Sequence, residues 1–247
     1  LHERNTQGQY YWGNKFPEYL REFVYSLSEN PNEVFRKEIL REMSYFGRAI
    51  YTLDKKYTVM GVFRYNGSSA LDPGKKWGFF PGVSASWNIK NENFLAESTV
   101  VSDLKIRGGW GKTGNASGIP PYSHFNLERL NQDGPNGSWS TYQWASDIGW
   151  EVTTDTNFGV DVAFAKNRIK LTADFYKRKT DDLIMPIAMG QIGNILRNVG
   201  SMENKGMEFT LNTINVKNEN FSWNTDFNIS FNKSNINEIA WMPNIDR

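Results

Sequence analysis

Apolar and polar residues alternate along much of this chain. From Phe221 to Phe231 the odd positions are Phe221, Trp223, Thr225, Phe227, Ile229 and Phe231, and the even positions are Ser222, Asn224, Asp226, Asn228 and Ser230. A period of two sends successive side chains to opposite faces of a strand, so this segment predicts a strand with one apolar and one polar face. Ile169, Leu171, Ala173 and Phe175 stand against Arg168, Lys170, Thr172 and Asp174 in the same way. Leu104, Ile106, Gly108 and Trp110 stand against Asp103, Lys105 and Arg107. Tyr57, Val59, Gly61, Phe63 and Tyr65 share a face, although Met60 and Val62 blur the other one. The alternation rule predicts about eight strands, near 44–53, 57–66, 78–88, 103–112, 153–164, 168–179, 205–215 and 221–232. One helix is predicted ahead of them. Asn30 fits its cap, Pro31 its first turn and Glu33 a capping box, with the helix running through Val34, Phe35, Ile39 and Leu40 to about Met43.

The connections add an orientation. Leu53–Lys56, 165–167 and 217–220 are tight; 66–77 and 180–204 are longer, 89–102 is medium, and 113–152 is very long. In an up-and-down antiparallel sheet, alternate connections lie at the same end. Short turns at one end and long loops at the other is the asymmetry of outer-membrane barrels. A strand of about ten residues, tilted by about 45°, also crosses the apolar slab, whereas soluble strands average about five or six residues. The fold class expected is therefore all-β, an antiparallel transmembrane β-barrel segment. Alternation alone fits a soluble glycan-binding β domain equally well.

Composition sharpens this picture in a few respects. Among the 247 residues are 9 Trp, 11 Tyr and 16 Phe, yet the mean hydropathy is −0.59. A barrel strand shows lipid only at every second residue, so its average stays low. Tyr57, Tyr65, Trp87, Trp110, Phe221 and Trp223 fall near strand ends, where amphipathic rings favour the membrane–water boundary. With 28 Lys plus Arg against 27 Asp plus Glu, no charge excess points to nucleic acid. The absence of cysteine removes disulfides, thiolate metal sites and Cys nucleophiles, and His2 and His124 are too far apart for a shared centre. No nucleophile, base and oxyanion donor converge in the sequence, so no enzyme and no cofactor is expected. Leu1-His2-Glu3-Arg4 carries no signal peptide, as in an exported protein that has lost it or a chain that begins mid-protein.

Other candidate chemistry is sparse. Gly111-Lys112-Thr113 matches the end of a phosphate-binding loop, but Ile106 stands where a Gly is required and the stretch continues a strand. Asp72 and Asp181-Asp182 lack companions at metal-loop spacing and read as solvated loop residues. The loop 113–152 carries Tyr122, His124, Phe125, Trp139, Tyr142 and Trp144 among Gly, Ser, Asn and Gln. Tyr122, Trp139, Tyr142 and Trp144 are the candidate contact residues for a substrate or a partner, since exposed rings beside amides and hydroxyls suit carbohydrate or peptide. Packing of these rings against neighbouring loops is the alternative. The polar rows with Lys105, Arg107, Lys170, Asp174, Asn224 and Asp226 are expected to line a wet interior.

Several short motifs then occur in a meaningful order. They are Arg64-Tyr65-Asn66-Gly67-Ser68-Ser69, Trp77-Gly78-Phe79-Phe80-Pro81 with Val83 to Trp87, and Glu92-Asn93-Phe94. Leu104 to Arg107 with Gly111 to Asn115 follows, then Trp150 to Thr153 with Asn157 to Asp161. Tyr176 to Leu183, Asn198-Val199-Gly200 and Asn204-Lys205-Gly206-Met207-Glu208 complete the series. Together they resemble the barrel of SusC/RagA-type TonB-dependent transporters, with Asn66, Gly82 and Gly109 as small departures. The resemblance implies a piece of a barrel of about 22 strands, in the outer membrane of Bacteroidetes-type bacteria. It implies uptake of oligosaccharides or peptides with a SusD-like surface lipoprotein as partner. It also implies energy from TonB through a plug domain, which this chain does not contain. On that reading residues 1–43 are an extracellular loop region with a short helix, and 44–247 are barrel.

Overall fold

In the computed structural model the described residues are 2–10, 34–121, 123, 126–131, 138–143, 147–188 and 194–239. The strands are β1 (His2–Tyr10), β2 (Val34–Leu53), β3 (Tyr57–Ser68), β4 (Trp77–Asn88), β5 (Val101–Asn115), β6 (Asn126–Asn131) and β7 (Ser138–Gln143). They continue as β8 (Glu151–Phe164), β9 (Ile169–Asp181), β10 (Ile184–Ala188), β11 (Asn194–Asn198), β12 (Ser201–Lys217) and β13 (Ser222–Glu238). Nine of them form one antiparallel sheet in the order β1-β2-β3-β4-β5-β8-β9-β12-β13, while β6-β7 and β10-β11 are separate hairpins within the two longest connections. All eight strands expected from alternation are present, most with a few residues added at their ends.

Residues 34–43 correct the expected helix. They are the first half of the 20-residue β2, which pairs with β1 on one side and β3 on the other. Val34, Phe35, Ile39 and Leu40 suit a helical face, but Phe35, Ile39, Met43 and Tyr45 also share one face of a strand. Residues 34–42 pair with β1 and residues 42–53 with β3, and this ladder of backbone hydrogen bonds to another strand overrides a local capping signal. At about 3.3 Å per residue β2 extends roughly 65 Å, well beyond a slab of about 30 Å. The boundary expected after residue 43 falls inside this strand.

The register separates two kinds of surface. One row crosses eight strands through Tyr51, Val59, Ala85, Gly108, Phe158, Phe175, Met207 and Phe231. The adjacent row, on the opposite face, runs through Thr52, Thr58, Ser86, Arg107, Gly159, Asp174, Glu208 and Ser230. The first face leaves large apolar groups uncovered, including Tyr51 at 67%, Phe63 at 45% and Phe227 at 53% exposure. An apolar sheet of this extent has no stable place in water; it fits lipid on one side and a wet interior on the other. No helix among the described residues is long and apolar enough to cross a membrane, so the strands do the crossing.

Because neither face of the wall is packed on another layer, the buried core lies elsewhere. Leu71 and Ile148 are fully buried, with Ala70 and Ile119 beside them, and Leu40, Ala116, Trp150, Ile184 and Leu196 pack around this centre. All of them, Leu40 included, lie at the long-loop end, so the loops form a packed cap over the rim. Asp72 N–H donates to the Ile148 carbonyl at 3.0 Å, and Lys75 bridges to Asp147 at 2.9 Å.

The opposite end is closed by tight turns. Asp54 and Lys55 both adopt positive φ (51° and 56°) in the three-residue turn 54–56, where Lys56 N–H donates to the Leu53 carbonyl at 2.9 Å. Between β4 and β5, Lys90 donates to the carbonyls of Leu95, Ala96 and Ser98, which caps the short helix α1 (Asn93–Ala96). Glu92 is the anchor of this turn. Its carboxylate accepts from Tyr57 Oη at 2.6 Å, Trp87 Nε1 at 3.1 Å and Lys56 Nζ at 3.0 Å. The Tyr57 hydroxyl first, then Lys56 and Trp87, hold this carboxyl down at about 2, against 4.5 ordinarily. A depressed carboxyl contributes stability that is complete above its unfolded value, near 4.5, and is lost as pH falls through about 2. An acid titration of indole fluorescence from the full-length receptor in detergent is therefore expected to show a turn-opening transition near pH 2 that Glu92→Gln abolishes. An unchanged titration in the variant would refute the anchor.

The wet face of the barrel wall and its candidate site

The polar face carries fixed charges in a defined arrangement. Arg107 reaches Asp161 on β8 (Nε to Oδ2, 3.1 Å) and Asp174 on β9 (Nη2 to Oδ1, 2.7 Å). Register explains how. Arg107 on β5 stands opposite Gly159 on β8, and Gly159 stands opposite Asp174 on β9. A Cβ on Gly159 would lie 2.6 Å from Arg107 Cζ and 2.7 Å from Asp174 Oδ1. The missing side chain is the passage through which Arg107 crosses one strand to its partner on the next. Thr172 Oγ1 donates to the free oxygen of Asp161 at 3.0 Å. Arg178 pairs with Asp155 at 2.9 Å on the same face.

Arg107 and its partners are each about a third exposed, at 34%, 29% and 30%. Pairs so solvated contribute only about 0–1 kcal/mol each, so their consequence is a held pattern of charge rather than stability. A concavity of about 1000 Å³ overlies this wall, lined among others by Arg64, Phe80, Arg107, Asn157, Tyr176 and Arg178. Asn204 Oδ1, on a lining residue, has no hydrogen-bond partner among the described residues. The small residues Gly82, Gly109 and Gly111 keep the wall low there. Such a surface offers hydrogen-bond donors, acceptors and aromatic edges to a polar solute, with no arrangement for bond-breaking.

Lys105, Arg107, Lys170, Asp174, Asn224 and Asp226 all lie on this face, as alternation implies, since Lys105 stands opposite Asp161 and Lys170 opposite Asn212, itself opposite Asp226. Asp155 is not singled out in the sequence, and Gly159, Asp161 and Arg178 enter there only as members of motifs, without a role. β8, which carries Asp155, Gly159 and Asp161, alternates loosely, and a triad linking three strands has no local signature. Of the four aromatic candidates, Tyr122 and Trp144 lie outside the described residues. Trp139 and Tyr142 fall on β7, with backbone partners Leu130 and Leu127 on β6. Gly111-Lys112-Thr113 is strand throughout. Asp72 is a turn residue whose Oδ1 accepts from Gly74 N–H at 3.1 Å, and Asp181 pairs with Lys179.

The sequence motifs gain physical content here. Asn66 Oδ1 accepts from Arg64 Nε at 2.8 Å, and Ser69 Oγ accepts from Arg41 N–H at 2.9 Å, pinning a strand end to its loop. Asn198 clips three segments, accepting from Gly149 N–H at 2.7 Å and donating to the carbonyls of Gly149 and Asp182. Gly206 stands opposite Tyr176, whose ring covers it.

A lipid-facing apolar sheet with a charged wet face and packed long loops is the wall of an outer-membrane β-barrel. Residues 2–245 match the family model described as TonB dependent receptor-like, beta-barrel. The chain belongs to that family, whose members are transporters of the bacterial outer membrane rather than enzymes. It is 35% identical over 210 residues to the TonB-dependent receptor SusC of Bacteroides thetaiotaomicron, covering 80% of this chain and 21% of that one. It is also 35% identical to the TonB-dependent receptor P3 of Formosa agariphila, over 83% of this chain and 21% of the relative. Among solved structures, the RagAB peptide importer in its closed-closed state superposes with a TM-score of 0.76 at 26% identity, over 90% of this chain and 25% of that one. The chain thus spans about a fifth of the length of the curated relatives it matches. It is a receptor segment of SusC/RagA type, and the reading as a soluble glycan-binding domain gives way to it.

Proposed function

We propose that the receptor containing this segment imports oligosaccharides or peptides across the outer membrane, together with a SusD-like surface lipoprotein and with energy from TonB acting through a plug domain. The observation that carries the reading is the 35% identity to SusC across four-fifths of the chain. The likeness to a solved peptide importer supports the same class of cargo. The wet face is compatible with both, since its paired charges suit uncharged or zwitterionic polar solutes. Trp139 and Tyr142, with Tyr122 and Trp144, are proposed to meet the substrate or the lipoprotein through the loop between β5 and β8. Residues 1–43 are proposed to lie on the extracellular side.

The test uses the full-length receptor in its native host. Affinity purification is expected to bring down a SusD-like lipoprotein in about equal amount, and deletion of the receptor gene is expected to abolish growth on a particular oligosaccharide or peptide source. A receptor that purifies alone, with growth unchanged across both substrate panels, would overturn the proposal.

A further inference from the structure

The lipid-facing side changes character abruptly on its last three strands. One register row begins as Ala49, Gly61, Val83 and Trp110, passes Thr156, and ends as Lys177, Lys205 and Lys233. These lysines are cross-strand neighbours on β9, β12 and β13. Each lies one outward position beyond an apolar residue: Phe175, Met207 and Phe231 respectively. They are at the long-loop end. At the short-turn end the outward positions are Tyr57, Trp87, Phe164, Ile169 and Trp223, with no comparable row of cations.

Like charges directly opposite one another destabilise a sheet. Nearby carboxylates offset this only in part. Glu203 pairs with Lys177 at 2.9 Å and sits 3.9 Å from Lys205, while Asp181 is engaged by Lys179. Lys233 has no ion pair among the described residues, and Lys177 and Lys205 remain 59% and 54% exposed. Strands about 4.8 Å apart place three ammonium groups within about 10 Å, and their long stems can lift the charges to one level while lying along apolar surface. An anion seated there removes the repulsion, and acyl chains continue below it along Phe175, Met207 and Phe231.

We propose that Lys177, Lys205 and Lys233 hold the phosphate groups of a phosphorylated glycolipid of the outer leaflet against the barrel wall. The inference rests on the outer-membrane orientation of the wall and is independent of what the receptor imports.

Full-length receptor, stripped of lipid in a zwitterionic detergent, is titrated with bisphosphorylated lipid A, with its dephosphorylated form and with inorganic phosphate, and retained ligand is read by native mass spectrometry. The wild type is expected to prefer the phosphorylated lipid and to lose it at high salt. Lys205→Gln/Lys233→Gln is expected to weaken that retention by about tenfold, with the dephosphorylated lipid unaffected. Lys217→Gln, at the short-turn end, leaves retention unchanged, and Lys205→Arg/Lys233→Arg preserves it. Equal retention by wild type and the Gln double variant overturns the proposal, as does equal binding of the dephosphorylated lipid. Displacement of the lipid by inorganic phosphate at matching concentration marks a free-anion site and also overturns it. Folding is followed by heat-modifiable electrophoretic migration. Should the Gln double variant not fold, the salt titration of the wild type decides, and salt-insensitive retention is a negative result.

Discussion

Leu71→Ala is expected to loosen the loop cap by about 2–5 kcal/mol, the usual cost of emptying a fully buried leucine site. Leu71 and Ile148 are the two largest side chains with no solvent contact among the described residues, and they touch across loops far apart in sequence. The sheet below contributes no packed layer to compensate. The effect is therefore local: amide exchange in residues 69–76 and 147–150 of the full-length receptor is expected to accelerate by two to three orders of magnitude or more, with the strands still protected. Ile148→Ala should behave alike. Because the same cap also includes Trp150 and Ile184, the segment joining β9 to β12 is expected to exchange faster too. Unchanged exchange in all three loops would show that the cap is not held by this core.

The second large effect is expected in the wall itself. A Cβ at Gly206 would meet the Phe231 carbonyl oxygen at 2.5 Å and the Tyr176 hydroxyl at 2.7 Å. The ring can move, but the backbone oxygen belongs to the β12–β13 ladder. Gly206→Val should therefore cost about 1–3 kcal/mol or more through forced backbone displacement, and Gly206→Ala somewhat less. The measurement is the temperature at which folded, fast-migrating receptor converts to the slow form in detergent. Tyr176→Ala in the Gly206→Ala background relieves the ring contact only, so a partial recovery separates the two clashes. A conversion temperature equal to wild type in Gly206→Val would refute this account.

Much of the wall was legible because period-two alternation is written into each strand separately. Phe221–Phe231 shows it without a break, and β13 starts within one residue of the expected span and runs on to Glu238, past its expected end at 232. The stretch 34–43 fits two templates, and the deciding term is the availability of β1 as a partner for nearly all of it. β1 itself, His2–Tyr10, is almost wholly polar and carries no period to find. The wet face was legible as a row and opaque as a site. Arg107 could be placed on it, but its two partners lie on other strands, and the gap at Gly159 that lets them meet appears only once register is known. The motifs were recognisable long before they were intelligible. Tyr176 and Gly206 stand in separate motifs and turn out to be one contact.

In the main sheet every strand lies beside its nearest sheet neighbour along the chain, and the two longest connections hold their own hairpins aside. Hairpin-by-hairpin pairing of this kind keeps contacts local, which favours rapid and sequential assembly of such a wall. It also decouples assembly from loop content, because doubling the length of a flexible connection adds only about 0.6 kcal/mol of closure entropy. The segments 116–150 and 182–200 can thus vary in length between their packed ends while the order in which the strands zip together stays the same.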